Sequence, residues 1–172
     1  GCAYNPDAIM WQADQFNFYD GGGLDFCFLG AAQVDQQGNV NSSKTGNLLS
    51  GCGGAINISQ NSPRVVFCLM FTAKGFRART DNGELEILQE GKTSKFVSEV
   101  DQITFSGEYA KKHGQKVLYI TERAVFELTE EGLMLTEIAP GVDLKKDILE
   151  QMEFTPKISE NLRTMDKELF YQ

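Results

Sequence analysis

Three glycines flank a cysteine in the run S-G-C-G-G-A-I-N-I-S-Q at residues 50–60, and that composition points to two kinds of chemistry. With no Cβ in the way, backbone N–H groups of Gly51, Gly53 and Gly54 can converge on a ligand oxygen and form a small anion-holding pocket. The same glycines equally suit a tight loop that needs positive φ. Cys52 stands between them as a thiol, but no base lies near it in sequence, and small apolar cysteines are commonly buried and inert. Other acid/base candidates are weaker. Glu130 and Glu131 are paired carboxylates in what reads as an exposed turn. Thr121-Glu122-Arg123 falls between two apolar segments and reads as a structural ion pair rather than a substrate clamp. His113, the sole histidine, sits in A-K-K-H-G-Q and reads as a solvated helix-end residue, so neither a metal site nor a Ser-His or Cys-His pair is expected.

Composition narrows the classes further. The 172 residues suffice for one sizeable core, and 41% hydrophobic with 23% charged residues is ordinary for a globular domain. A net charge of -8 with scattered Lys and Arg argues against a nucleic-acid partner, because phosphate backbones are held by clustered cations. No apolar run approaches the roughly 20 residues that span a bilayer, and the first residues lack a signal-peptide pattern, so a cytoplasmic protein without membrane association is expected. Four separated cysteines, with no C-x-x-C pair, read as reduced thiols. The two N-x-S sequons at Asn41 and Asn57 are read as chance matches. The chain opens G-C-A-Y without an initiator methionine and is expected to be a piece of something longer.

The elements that must position these residues follow from periodicity. One or two short helices are expected over 5–19, stopped by Asp20-Gly21-Gly22-Gly23. Residues 24–34 and 64–71 read as strands buried on both faces, the first interrupted at Gly30, where a strand glycine often marks close approach by a ligand. Asp81-Asn82-Gly83 centres one hairpin over 76–90, and Glu130-Glu131-Gly132 centres another between 124–129 and 133–138. A short helix at 107–113 leads into a third buried strand at 116–120. Asp143 caps a helix with Leu144, Ile148, Leu149 and Met152 on one face. Two units result: a domain over 1–153 and a polar docking tail over 154–172. The fold class expected is α/β or α+β, a mostly buried mixed sheet with flanking helices and two hairpins. In such sheets ligands collect where loops leave strand ends, which draws attention to 21–23, 51–54 and Lys74.

Several segments in order then resemble one family: F-Y-D-G-G-G-L-D-F-C-F-L-G-A-A-Q-V-D from Phe18, G-C-G-G-A-I-N-I-S-Q from Gly51, F-T-A-K-G from Phe71, Q-I-T-F-S-G-E-Y-A from Gln102, Y-I-T-E-R-A-V-F-E-L from Tyr119 and E-I-A-P-G-V-D-L-K-K-D-I-L from Glu137. The whole chain is similar to the C-terminal region of family I CoA-transferases, nearest to the propionate or short-chain acyl-CoA:acetate type. The resemblance implies a NagB/RpiA-like fold and CoA exchange through a glutamyl-CoA thioester. Coenzyme A is then a substrate, and no cofactor is implied. Gly54 matches the oxyanion-hole glycine, with Gly53 beside it. Gly30, Lys74 and Gly23 match the CoA groove, a solvated loop lysine being the other reading of Lys74. The family's nucleophilic glutamate lies in an E-x-G-x-x-G-like turn, and neither Glu90, Glu108 nor Glu131 has that context. The chain alone is therefore expected to be inactive, completed by an upstream region or companion chain, and homo-oligomeric. Acyl-CoA hydrolysis on the same scaffold and a non-catalytic CoA-binding or assembly module are the alternatives.

Overall fold

The computed structural model describes residues 4–171. Its frame is a six-stranded mixed sheet whose strands follow chain order: β1 (Cys27–Gly30), β2 (Arg64–Cys68), β3 (Lys116–Ile120), β4 (Ala124–Thr129), β5 (Gly132–Ile138) and β6 (Lys157–Thr164). The first three are parallel, with Cys27 opposite Val65 and Val65 opposite Val117. β4 and β5 then run as antiparallel turns of the chain, and β6 returns parallel to β5. Helices α1 (Gln12–Asp20), α2 (Ala55–Gln60) and α3 (Gly107–Lys112) accompany the parallel half, α2 leading into β2 and α3 into β3 as crossovers. This is the mixed α/β fold expected from the sequence.

Alternation along the strands decides the core. Cys27, Val65, Phe67, Val117 and Tyr119 face one side and are buried with Phe126, Leu133 and Leu135. Aromatic rings fill its centre, Phe71 lying 4.6 Å from Phe96 and Phe96 4.9 Å from Phe126. The Asn-Gly hairpin forms as read, Arg77–Asp81 against Glu84–Gln89, with Asn82 and Gly83 at φ 52° and 79° as its tight turn requires.

Several expectations change. The helix expected over 5–19 begins only at Gln12, and Asn5 has φ 51°, which no helix accepts. The apolar stretch 24–34 is two strands, because after Gly30 the chain leaves the sheet and Gln33–Asp35 pairs with Val40–Asn41 and Phe96–Val97 in a separate small sheet. Neither 24–34 nor 64–71 is covered on both faces: Phe26 and Phe28 are 55% and 64% exposed. Leu144–Ile148 is a wide π-helical turn followed by a 3-10 turn, although Asp143 caps it as expected and Ile148 is fully buried. Residues 157–164, read as polar tail, are an edge strand of the main sheet, which needs only one apolar contact face. Phe170 beyond it is buried with Leu85, Ala139 and Met165. Among the described residues no helix is long and apolar enough to cross a membrane.

Candidate active site at the carboxyl edge of the parallel strands

The loop leaving β1 is built by side chains that satisfy its own backbone. Asn41, fully buried, accepts hydrogen bonds from the N–H groups of Ser43 and Lys44 at 3.0 Å each and donates to the Gln33 side chain and the Lys44 carbonyl at 2.7 Å. Ser42 Oγ donates to the Gly30 carbonyl at 3.1 Å, and the Ser43 carbonyl accepts the N–H groups of Ser50 and Gly51 at 3.0 and 3.2 Å. Gly30 and the glycine run are thereby tied to one short stretch, 42–43. Gly51 and Gly53 sit at φ 79° and 54°, conformations that L side chains rarely take, so part of the run is loop geometry.

Gly54 differs from its neighbours. Its φ is ordinary, and a Cβ there would meet the Phe16 ring of α1 at 3.1 Å and Ile58 at 3.2 Å, so glycine is what lets α1 lie against the start of α2. Among the described residues, the N–H groups of Cys52, Gly53 and Gly54 donate to no backbone carbonyl, whereas those of Ser50, Gly51 and Ala55 do. Three adjacent free donors are left on the loop that residues 42–43 tie to Gly30. Gly30 has open space where its Cβ would stand.

Lys74 follows β2 from the same edge, in the left-handed region at φ 62°, with its side chain exposed. A buried ion cluster holds its loop. Arg123, with no exposed side-chain surface, donates through Nη1 and Nη2 to Glu90 at 2.7 and 3.0 Å and through Nε to Glu122 at 2.7 Å, and its guanidinium lies over Phe71 and Phe76. Glu90 also accepts from Thr72 Oγ1 and the Gly91 N–H, while Glu122 accepts the Phe71 N–H at 2.9 Å. Burial pushes the Glu90 carboxyl up, but the hydrogen bonds and charge of Arg123, with Thr72 and Gly91, together hold it below its ordinary value. The structure thus bears out a structural ion pair at Arg123, but its fork-like partner is Glu90, 33 residues away, a contact no local pattern reveals.

The remaining candidates are elsewhere. Gly23 closes the end of α1, where its N–H donates to the Phe18 carbonyl at 2.9 Å and a Cβ would strike the Phe18 ring at 2.3 Å. Asp20, three residues before it, accepts hydrogen bonds from Asn57 within α2 and from Asn61 at its C-terminus, which holds the end of α1 on α2. His113 is exposed, stacked on Tyr109 at 3.9 Å. Glu130 and Glu131 are exposed at the β4–β5 turn. Cys52 has only the Gly53 carbonyl, at 3.6 Å, as a partner, and burial pushes the Cys27 thiol up, away from reactivity. Cys2 lies outside the described residues. Among the described residues no three His, Cys, Asp or Glu side chains gather as a metal ion would need.

No family model matches the chain. Known proteins do. Acetate CoA-transferase YdiF of Escherichia coli strain K12 is 51% identical over 170 residues, covering 99% of this chain and 32% of that protein. Caffeate CoA-transferase of Acetobacterium woodii is 48% identical over 175 residues, covering 99% and 33%. The beta subunit of an E. coli K12 acetate CoA-transferase is 30% identical over 145 residues, 83% of this chain and 57% of the subunit. In the crystal, E. coli O157:H7 YdiF in a thioester complex with CoA superimposes at a TM-score of 0.96, with 51% identity, over 98% of this chain and 33% of its own. The chain therefore spans about a third of the length of its YdiF and caffeate relatives. With that identity and that superposition over its whole length, the chain belongs to the family I CoA-transferases, as a C-terminal, beta-subunit-like region.

Proposed function

We propose that the chain supplies the receiving half of the active site of an acyl-CoA:carboxylate CoA-transferase of short-chain acids. A glutamate on polypeptide outside these residues attacks the acyl-CoA carbonyl, and the tetrahedral oxyanion accepts hydrogen bonds from the N–H groups of Gly54 and Gly53. The intermediate collapses with CoA thiolate leaving, which gives an acyl-glutamyl anhydride. The thiolate then attacks the glutamyl carbonyl and releases the first carboxylate, leaving a glutamyl-CoA thioester. An acceptor carboxylate reverses the two steps and departs as the new acyl-CoA. Gly30 lets the CoA chain lie against the end of β1, and Lys74 offers its ammonium to a CoA phosphate or pantetheine oxygen.

The observation that carries this reading is the run of unused N–H donors at Cys52, Gly53 and Gly54, of which the two glycines have no side chain in the way, on the loop tied to Gly30. The gathering of ligand-facing loops at the carboxyl ends of parallel strands supports it. Gly23, exposed at the end of α1, would line the same CoA groove, glycine being required there because a Cβ would meet the Phe18 ring. A direct test replaces the matching third of E. coli YdiF with this chain and follows acetyl-CoA, the acceptor's acyl-CoA and free CoA, with and without a second carboxylate. Transfer turns over acetyl-CoA into the acceptor's acyl-CoA only when the acceptor is present, and releases no free CoA. Turnover to free CoA and acetate without acceptor would make the protein a hydrolase.

A further inference from the structure

Asn41 is a fully buried amide whose side chain is spent on the loop between the end of β1 and the glycine run. Its backbone carbonyl accepts the Ala32 N–H at 2.8 Å and its Nδ2 donates to Gln33 Oε1, so it is anchored to the chain that follows Gly30. From that anchor Oδ1 accepts the N–H groups of Ser43 and Lys44, and Nδ2 donates to the Lys44 carbonyl. The Lys44 N–H and the Ser43 carbonyl belong to one trans peptide unit, in which the two groups point to opposite sides. Holding the N–H therefore aims the carbonyl. Three donors meet it there: the Ser50 N–H at 3.0 Å, the Gly51 N–H at 3.2 Å and the Ser50 hydroxyl at 3.2 Å.

Between these points Lys44–Thr45 pairs with Leu48–Leu49 as a short antiparallel excursion, with both leucines 68% exposed, so the return of the chain at residue 50 is set by hydrogen bonds. Past Gly51, whose φ of 79° turns the chain, come the unused N–H groups of Gly53 and Gly54. A buried amide with all its bonds made holds one geometry, because any shift leaves donors or acceptors unpaired out of reach of water. We propose that Asn41 is a positioning residue for the transfer reaction: through the Ser43–Lys44 peptide it sets the direction in which the Gly53 and Gly54 N–H groups meet the oxyanion, without itself touching substrate. The proposal rests on the transferase reading above.

The test uses the YdiF chimera carrying this chain and measures kcat and KM for acetyl-CoA, the amplitude and single-turnover rate of glutamyl-CoA formation, and amide hydrogen exchange at Ser50 and Gly51. In Asn41→Ala, kcat and the single-turnover rate are expected to fall about 10²-fold, the cost of donors misplaced by about 1 Å. KM for acetyl-CoA stays within about twofold of the unsubstituted chimera, because the loss falls on the transition state and not on binding. Exchange at Ser50 and Gly51 becomes faster. A role confined to stability lowers the amplitude and the urea midpoint but leaves the single-turnover rate per active site unchanged, and that result overturns the proposal. Should Asn41→Ala not fold, Asn41→Ser decides, because its hydroxyl is able to accept the Ser43 N–H while the Lys44 N–H is released. A single-turnover rate about 10-fold slower with KM unmoved is expected, and an unchanged rate overturns the proposal. The unsubstituted chimera separates the two readings. If it forms glutamyl-CoA and the variants form it equally fast per site, the positioning role falls and the function stands; if it forms none, the transferase reading falls and takes the positioning role with it.

Discussion

Gly54 is the residue on which the proposed chemistry turns, because its N–H is free while its α-carbon is crowded by Phe16 and Ile58. These two properties separate under substitution. In the YdiF chimera, Gly54→Pro removes the donor and is expected to lower the transfer rate about 10²–10³-fold. Gly54→Ala keeps the N–H and displaces Phe16 by a few tenths of an ångström, so it costs stability more than rate; steady-state kinetics beside urea unfolding distinguishes them. At Arg123 the consequence is structural. Arg123→Met leaves Glu90 and Glu122 without their counter-charge and is expected to cost about 3–5 kcal/mol in denaturant unfolding. The pH dependence has a definite sign. Glu90 has a lower value folded than unfolded, so its pairing stabilises fully above the ordinary glutamate range and the gain is lost as pH falls through the folded value. Acid titration of stability in the native protein therefore shows this loss, and Glu90→Gln removes that part of it. The glycine run was legible from its spacing alone. Glu90 was not, because its partner is distant and its neighbours Gly91 and Lys92 look like any turn.

At the scale of elements, the site depends on loops held by buried polar groups. Asp35 accepts the N–H groups of Gln37 and Asn39 and the Asn39 side-chain amide, and Asn39 Oδ1 accepts the Gly107 N–H at the start of α3 at 2.9 Å. Both side chains are buried, so Asn39→Ala leaves a carboxylate oxygen and an N–H unpaired. It is expected to cost about 1–3 kcal/mol, read from the urea midpoint, with faster hydrogen exchange at Gly107. Elements with strong local chemistry could be read directly. The Asn-Gly hairpin, the Asp143 cap and the face Leu144, Ile148, Leu149, Met152 are examples. The break after Gly30 escaped because both halves of 24–34 are apolar, and only pairing partners far along the chain assign them to different sheets. β6 escaped for the opposite reason. Its exposed polar residues follow no period, and a register shift opposite Leu135 and Glu137 interrupts the little alternation it has.

The whole molecule carries the proposed site at one edge of the parallel strands and exposed apolar side chains on their open face. β1 is an edge strand, and Tyr4, Ile9 and Trp11 are also exposed before α1. An apolar face of this kind drives association when nothing covers it. The 172-residue chain by itself is expected to bind a hydrophobic dye and to associate in sedimentation, while Phe28→Glu reduces both; a monodisperse, dye-silent monomer would show that the face needs no cover. The central claim is that these residues receive CoA chemistry whose attacking carboxylate lies outside them. Peptide mapping of the covalent CoA adduct, formed when the YdiF chimera meets acetyl-CoA without acceptor, tests it most directly. The account predicts one glutamyl-CoA thioester, outside residues 1–172, with slower formation in Gly54→Pro. An adduct on Cys52 or on any glutamate of this chain would contradict it.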